Sequence, residues 1–133
     1  MENKEIKIAV VGSRTINDYK FVKETLQFLI EKFEKQNNQK PNYHIISGGA
    51  QGVDSDAVRF AKENGFIWTE HLPRWNDYGK SAGFIRNAQI VDECDILICF
   101  WDGESKGAKH SYDLAKKKNK EIYMFLNSDR SFL

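Results

Sequence analysis

Arg14, Lys80, Arg86 and Lys106 are cations whose charges could together neutralise a diphosphate, Arg86 from a helical pattern and the others from in or beside short turns. Arginine adds a planar fork that takes two oxygens at once. Ser13, Ser47 and Ser105 sit in glycine-bearing turns and can donate to phosphate oxygens. Asp54 or Asp102 can accept from ribose hydroxyls, and Trp75, Tyr78 and Trp101 offer flat faces for a base. These residue types are the chemistry of a site for a phosphorylated, ribose-containing ligand. Each residue also has a structural alternative. Trp101 can be core, Asp54 can cap a helix, Arg86 can pair with Asp102, and Lys109, Lys116, Lys117 and Lys118 read as a solvated helix face.

Three segments must position these groups: Gly12-Ser13-Arg14-Thr15, Gly48-Gly49-Ala50-Gln51-Gly52-Val53-Asp54 and Asp102-Gly103-Glu104-Ser105-Lys106-Gly107. Each follows an apolar run and opens onto a helical pattern. Such a strand-to-helix turn presents unpaired backbone N–H groups and the positive end of a helix dipole to an anion. The middle segment is the sharpest of the three, although its glycines can also be read as making tight turns only.

Strand patterns are read at residues 6–11, 43–47, 66–70, 95–101 and 121–126. They alternate with helical patterns. The first is capped by Asp18, with Val22, Leu26, Leu29, Ile30 and Phe33 on one face; the others run over residues 55–64, 81–93 and 106–118. Residues 36–42 are a polar connection, residues 72–80 are irregular, and residues 127–133 form a short tail. The alternation predicts one α/β domain over residues 1–133. Its expected form is a five-stranded, mainly parallel sheet covered by helices on both faces and joined by right-handed crossovers. Ligands of such sheets bind beyond the carboxyl ends of the strands, which gathers the three segments and residues 75–80 around one crevice.

Composition narrows the classes. A length of 133 residues suits one domain, and 41% hydrophobic with 29% charged residues suits a globular core. The formal charge of +1 makes nucleic acid an unexpected partner, since a phosphate-backbone binder carries a basic excess. No apolar run reaches the roughly 20 residues of a membrane span, and the N-terminus lacks a leader pattern, so the expected location is cytoplasmic. Cys94 and Cys99 read as small hydrophobes, and His44, His71 and His110 lack ligand spacing; no metal is expected. Gly79-Lys80-Ser81 resembles a P-loop end, but Arg74 stands where the earlier glycine belongs, and the first turn has one glycine rather than a dinucleotide fingerprint.

Four ordered motifs carry a resemblance: Val11-Gly12-Ser13-Arg14, then Ser47 to Asp54, then Trp75-Asn76-Asp77-Tyr78-Gly79-Lys80-Ser81-Ala82-Gly83-Phe84-Ile85-Arg86-Asn87, then Phe100 to Gly107. In this order they resemble the YspA-like branch of the SLOG superfamily, over about residues 7–125. That superfamily is Rossmann-like and includes the SMF/DprA proteins and the lonely-guy phosphoribohydrolases; the resemblance implies a Rossmann-like three-layer α/β fold with sheet order 3-2-1-4-5. The resemblance implies a nucleotide-type ligand of the NAD, ADP-ribose or cyclic ADP-ribose kind, with no further cofactor required. It adds Ala50 and Asn87 to the ligand-binding set. Arg86 is similar in position to the catalytic arginine of the phosphoribohydrolases, but no glutamate follows Gly107, and Ala108 stands where a threonine is expected. Cleaving an N-glycosidic bond needs a carboxylate, for which only Asp54, Asp77 and Asp102 are available in the crevice.

The sequence therefore predicts a sensor or sequestering protein for a nucleotide-derived molecule, with Arg86, Asp54 and Asp102 as the candidates if it is instead a nucleotide N-glycosidase. The Lys-, Asn- and Ile-rich composition suits an AT-rich bacterium or its phage, and a phage origin favours sequestration of a host defence signal. Apolar Phe84, Ile85, Ile90 and Val91 on one helix predict a homodimer or a tetramer built from it, with the site near the subunit boundary.

Overall fold

The computed structural model describes residues 4–37 and 40–126; the tail at 127–133 and part of the connection at 36–42 lie outside the described residues. Five strands are present: β1 (Glu5–Gly12), β2 (Asn42–Ser47), β3 (Ile67–Glu70), β4 (Ile96–Trp101) and β5 (Glu121–Leu126). They form one sheet in the order β3-β2-β1-β4-β5. Every pairing is parallel, so the sheet has no antiparallel strand among the described residues.

Central β1 shows why a near-continuous apolar run was legible as a buried strand. Ile6, Ile8 and Val10 point to one face and Ala9 and Val11 to the other, as the two-residue period of a strand requires. On the first face lie α1 (Tyr19–Asn37) and α2 (Val53–Glu63). Phe21 of α1 meets Phe100 of β4 edge-on at 5.4 Å, both rings being fully buried. On the opposite face lie α4 (Ala82–Glu93) and α5 (Lys106–Lys117). There the small side chains Ala9, Ala108 and Ala115 allow close approach of helix and sheet.

Asp18 caps α1 as its position predicts, accepting from the Phe21 N–H at 3.1 Å. The stretch read as irregular contains one helical turn, α3 (Trp75–Tyr78), followed by a 3-10 turn at Gly79–Ser81 that leads into α4. Such short turns lack the periodicity that sequence reading depends on. Ile90 and Val91, expected to be surplus apolar surface for pairing, are buried beneath α4 against the sheet at 1% and 0% exposure. Phe84 alone of that set is strongly exposed.

Candidate functional site

The carboxyl ends of β1, β2 and β4 open onto a cleft of about 530 Å³. Gly12 and Arg14 line it from the β1 end, Gly48, Ala50 and Asp54 from the β2–α2 segment, and Asp102, Ser105 and Gly107 from the β4–α5 segment. Trp75, Lys80, Arg86 and Asn87 close the fourth side. The three separate turns and the third motif therefore do converge.

Two of the turns are shaped by contacts between backbone and neighbours. A Cβ on Gly12 would lie 2.5 Å from Val53 Cγ2, so glycine here lets the end of β1 pack on the start of α2. Gly52 precedes α2 with φ of 82°, and a Cβ there would meet the Ile16 carbonyl at 2.9 Å. Both the left-handed backbone and the contact select glycine at this corner.

The β2–α2 segment already carries the chain's own anion. Asp54 is 6% exposed, and its Oδ2 accepts from the Ala50 N–H at 3.2 Å. The Gly49 N–H goes to Ser47 Oγ at 3.2 Å, while that hydroxyl donates to the Asp54 carbonyl at 2.9 Å. Burial pushes the Asp54 carboxyl up to about 6, against the Ala50 hydrogen bond and the charges of Arg86 and Arg14. Its Oδ1 is buried and has no partner among the described residues. This is the only buried side-chain oxygen or nitrogen of that kind among them.

Arg86 faces Asp54 across the cleft. Its Nη1 donates to the Gly48 carbonyl at 2.6 Å and its Nε to Asn87 Oδ1 at 3.0 Å. Burial lowers the guanidinium from its usual value, with Asp54 acting in the opposite direction. The structural pairing of Arg86 with Asp102 is not the arrangement found. Asp102 instead organises its own loop: Oδ2 accepts from the Thr15 hydroxyl at 2.7 Å, and Oδ1 from the N–H groups of Glu104 and Ser105 at 2.8 Å each. These bonds, the Thr15 one foremost, hold its carboxyl down to about 2.

The α5 N-terminus is differently provided. Ser105 caps it through the Ala108 N–H at 3.5 Å, and among the described residues the Lys106 and Gly107 N–H groups have no backbone or side-chain acceptor. Anion-accepting backbone is thus open at α5, whereas in the turn before α2 the Gly49 and Ala50 N–H groups are already engaged by Ser47 and Asp54.

Several expected ligand contacts lie away from the cleft. Ser13 is fully buried and its Oγ accepts from the Asp102 N–H at 3.0 Å, which joins the ends of β1 and β4. Ser47 is equally buried and is used within its own turn. Gly49 and Gly52 shape that turn without lining the space. Trp101 is half-buried against the α4–α5 face of the core, its indole N–H donates to the Ser105 carbonyl at 3.0 Å, and it does not line the cleft. Tyr78 stays outside with Arg74 over its ring, and Asp77 pairs with Arg74 at 2.5 Å instead of facing the crevice. Gly103 and Lys106 are exposed and do not line the cleft.

Sequence reasoning missed Phe84, Gly83, Glu104 and Ser111, which do line it. Phe84 was assigned to a subunit contact because it lies on an apolar helix. The signal for its role was Gly83 beside it, over which the Trp75 ring sits with a would-be Cβ at 3.6 Å.

Residues 6–78 match the YspA, cpYpsA-related SLOG family, which includes the first two motifs and the start of the third. The Gene 61 protein of Mycobacterium phage D29 is 34% identical over 87 residues, covering 61% of this chain and 70% of that protein. The fold is similar to that of DNA processing protein A from Streptococcus pneumoniae, with a TM-score of 0.69 and 22% identity over 90% of this chain and 50% of that one. It is also similar to DNA processing protein A from Helicobacter pylori, described as having a unique single-stranded DNA binding mode, at a TM-score of 0.63 and 23% identity over 90% of this chain and 64% of that one. This chain therefore spans between half and two thirds of the length of those solved structures. With more than half of its residues matched and the four motifs gathered at one end of the sheet, the chain belongs to the YspA, cpYpsA-related SLOG family.

Proposed function

We propose that the cleft binds a nucleotide or nucleotide-derived small molecule of the NAD, ADP-ribose or cyclic ADP-ribose kind, and that the protein acts as a sensor or sequestering protein for it. One observation carries the reading: Arg14, Lys80 and Arg86 line the same cleft as the open N-terminus of α5. Cations and unpaired N–H groups directed at one space suit a diphosphate. Asp54, with its free Oδ1, is better suited to a ribose hydroxyl than Asp102, whose oxygens are already occupied. Trp75 and Phe84 supply the apolar wall for a base. The similarity to a phage protein supports sequestration of a host defence signal as the biological setting. Mass spectrometry of small molecules released from the natively purified protein tests this; the expected result is a phosphorylated nucleoside derivative in near-stoichiometric amount, and ligand-free protein counts against it.

A second reading is favoured by Asp54 itself. A carboxyl near 6 beside an arginine is poised to give or take a proton at neutral pH, as a nucleotide N-glycosidase requires. Free base released from a nucleoside monophosphate or ADP-ribose by the native chain, and lost in Asp54→Asn, selects that reading; intact substrate selects binding.

Pairing into a homodimer or tetramer remains part of the proposal, now resting on exposed Phe84, Trp75 and Leu72 beside the cleft. Light scattering is expected to give a multiple of the 15.4 kDa chain mass, and the monomer mass at micromolar concentration overturns it.

A further inference from the structure

Asn87 is 6% exposed and has three polar neighbours that fix its amide. Arg86 Nε–H can only donate, and it reaches Oδ1 at 3.0 Å. The Gly107 carbonyl can only accept, and it lies 3.4 Å from Nδ2. The orientation of the amide follows from these two neighbours alone. The third is His110 Nδ1, 3.2 Å from the same Nδ2. An amide nitrogen donates and does not accept, so Nδ1 must be the acceptor and the imidazole must carry its proton on Nε2. Phe84 covers the imidazole, ring centre to ring centre at 4.5 Å.

We propose that His110 is a positioning residue for the ligand cleft: neutral, with its proton on Nε2, it holds Asn87, and Asn87 in turn fixes the plane of the Arg86 guanidinium. Two anchors define that plane, Asn87 at Nε and the Gly48 carbonyl at Nη1. Among the described residues Nη2 has no partner, which leaves it free for a ligand oxygen. The affinity consequences rest on the nucleotide reading given above; the positioning itself does not.

Protonation of His110 sets an Nδ1–H against the Asn87 Nδ2–H. Turning the amide over relieves that clash only by placing Nδ2 against the Arg86 Nε–H, so the anchor is lost either way. The surrounding charges act in both directions. Asp113, one turn further along α5, favours the imidazolium, but Lys109 Nζ also binds it at 3.0 Å. Lys106, one turn earlier on α5, and Arg86, reached through Asn87 from α4, carry like charge. Burial brings the imidazole below its usual 6.5, with Asp113 acting against it. Asp54 titrates in the same cleft, so the His110 component is the part of a pH profile that a non-titrating variant removes.

Long-range 1H–15N spectra of the labelled full chain test the positioning without any ligand. The expected result is the Nε2–H tautomer of His110 at pH 7.5, and an Arg86 Nε–H signal that moves with the His110 titration. His110→Asn, whose Oδ1 replaces the Nδ1 acceptor, is expected to keep the Arg86 signal at all pH values, and His110→Ala to lose it. With ADP-ribose as the probe, His110→Ala is expected to weaken binding about tenfold at pH 7.5 and His110→Asn by no more than about twofold. The Nδ1–H tautomer in the native chain, or an Arg86 signal indifferent to His110→Ala, overturns the proposal. Failure of ADP-ribose to bind the native chain counts against the nucleotide reading, and the spectra still decide this one.

Discussion

The Arg86 guanidinium of α4 donates to the Gly48 carbonyl at 2.6 Å, which ties the helix of the third motif to the turn of the second across the cleft. The contact depends on the absence of a side chain. A Cβ on Gly48 would lie 2.7 Å from Arg86 Nη1 and 2.8 Å from Asp54 Oδ2, displacing both groups. Gly48→Ala is therefore expected to destabilise the fold by about 1–3 kcal/mol, since Arg86 is part-buried and Asp54 buried, and to weaken ligand binding at least about tenfold. Chemical denaturation paired with calorimetry separates the two; native affinity in the variant contradicts the expectation.

Asp54 gives stability a particular pH dependence. Its folded value, about 6, is raised above the ordinary 3.8, so the folded state holds a proton that the unfolded state has lost. Stability is then fully present below pH 4, falls as pH rises through 4 to 6, and stays lowered above that by about 3 kcal/mol for the ligand-free protein. Asp54→Asn should remove this slope and raise stability at pH 7 by about 1–3 kcal/mol, while weakening ligand binding. Urea midpoints between pH 4 and 8 measure it, and an unchanged slope in the variant counts against a buried, strained carboxyl.

Asp102 works in the opposite sense. Its carboxyl is held at about 2 by hydrogen bonds, so its contribution is present above pH 4 and is lost as pH falls toward 2. Asp102→Ala leaves the Glu104 and Ser105 N–H groups and the Thr15 hydroxyl without their acceptor. A loss of about 1–2 kcal/mol at pH 7 is expected, with faster amide exchange in the β4–α5 loop. Unaltered exchange there contradicts the role.

The fold was legible because its signals are local and redundant. The apolar run of β1, the amphipathic face of α1 from Val22 to Phe33 and its Asp18 cap all specify the same answer, and the motifs brought the strand order with them. The site was legible by loop but not always by atom. Sequence shows that Ser13, Ser47 and Asp54 occupy strand-to-helix turns. It does not show that Ser13 would turn inward to the Asp102 N–H, or that Asp54 would turn back to the Ala50 N–H of the β2–α2 turn, since both outcomes depend on backbone directions fixed only when β1, β2 and β4 lie side by side. Trp101 is similar: the last residue of a buried strand can face either layer, and its neighbour Ser105 decides the matter by offering a carbonyl to the indole. Phe84 was read only as a subunit contact although it also lines the cleft, because an apolar residue on a helix says nothing of whether its neighbour is a core, a ligand or another chain.

In the proposed function Arg14, Lys80 and Arg86 act together on a phosphorylated nucleoside ligand in the cleft. Titration calorimetry of the native chain and Arg86→Ala against NAD, ADP-ribose, cyclic ADP-ribose, nucleoside monophosphates and a single-stranded oligonucleotide tests it most directly. Micromolar or tighter binding of at least one diphosphate-containing nucleotide is expected, weakened by roughly 1.5–3 kcal/mol in Arg86→Ala. No nucleotide binding to the native chain, binding of the oligonucleotide alone, or equal affinity in Arg86→Ala would contradict it.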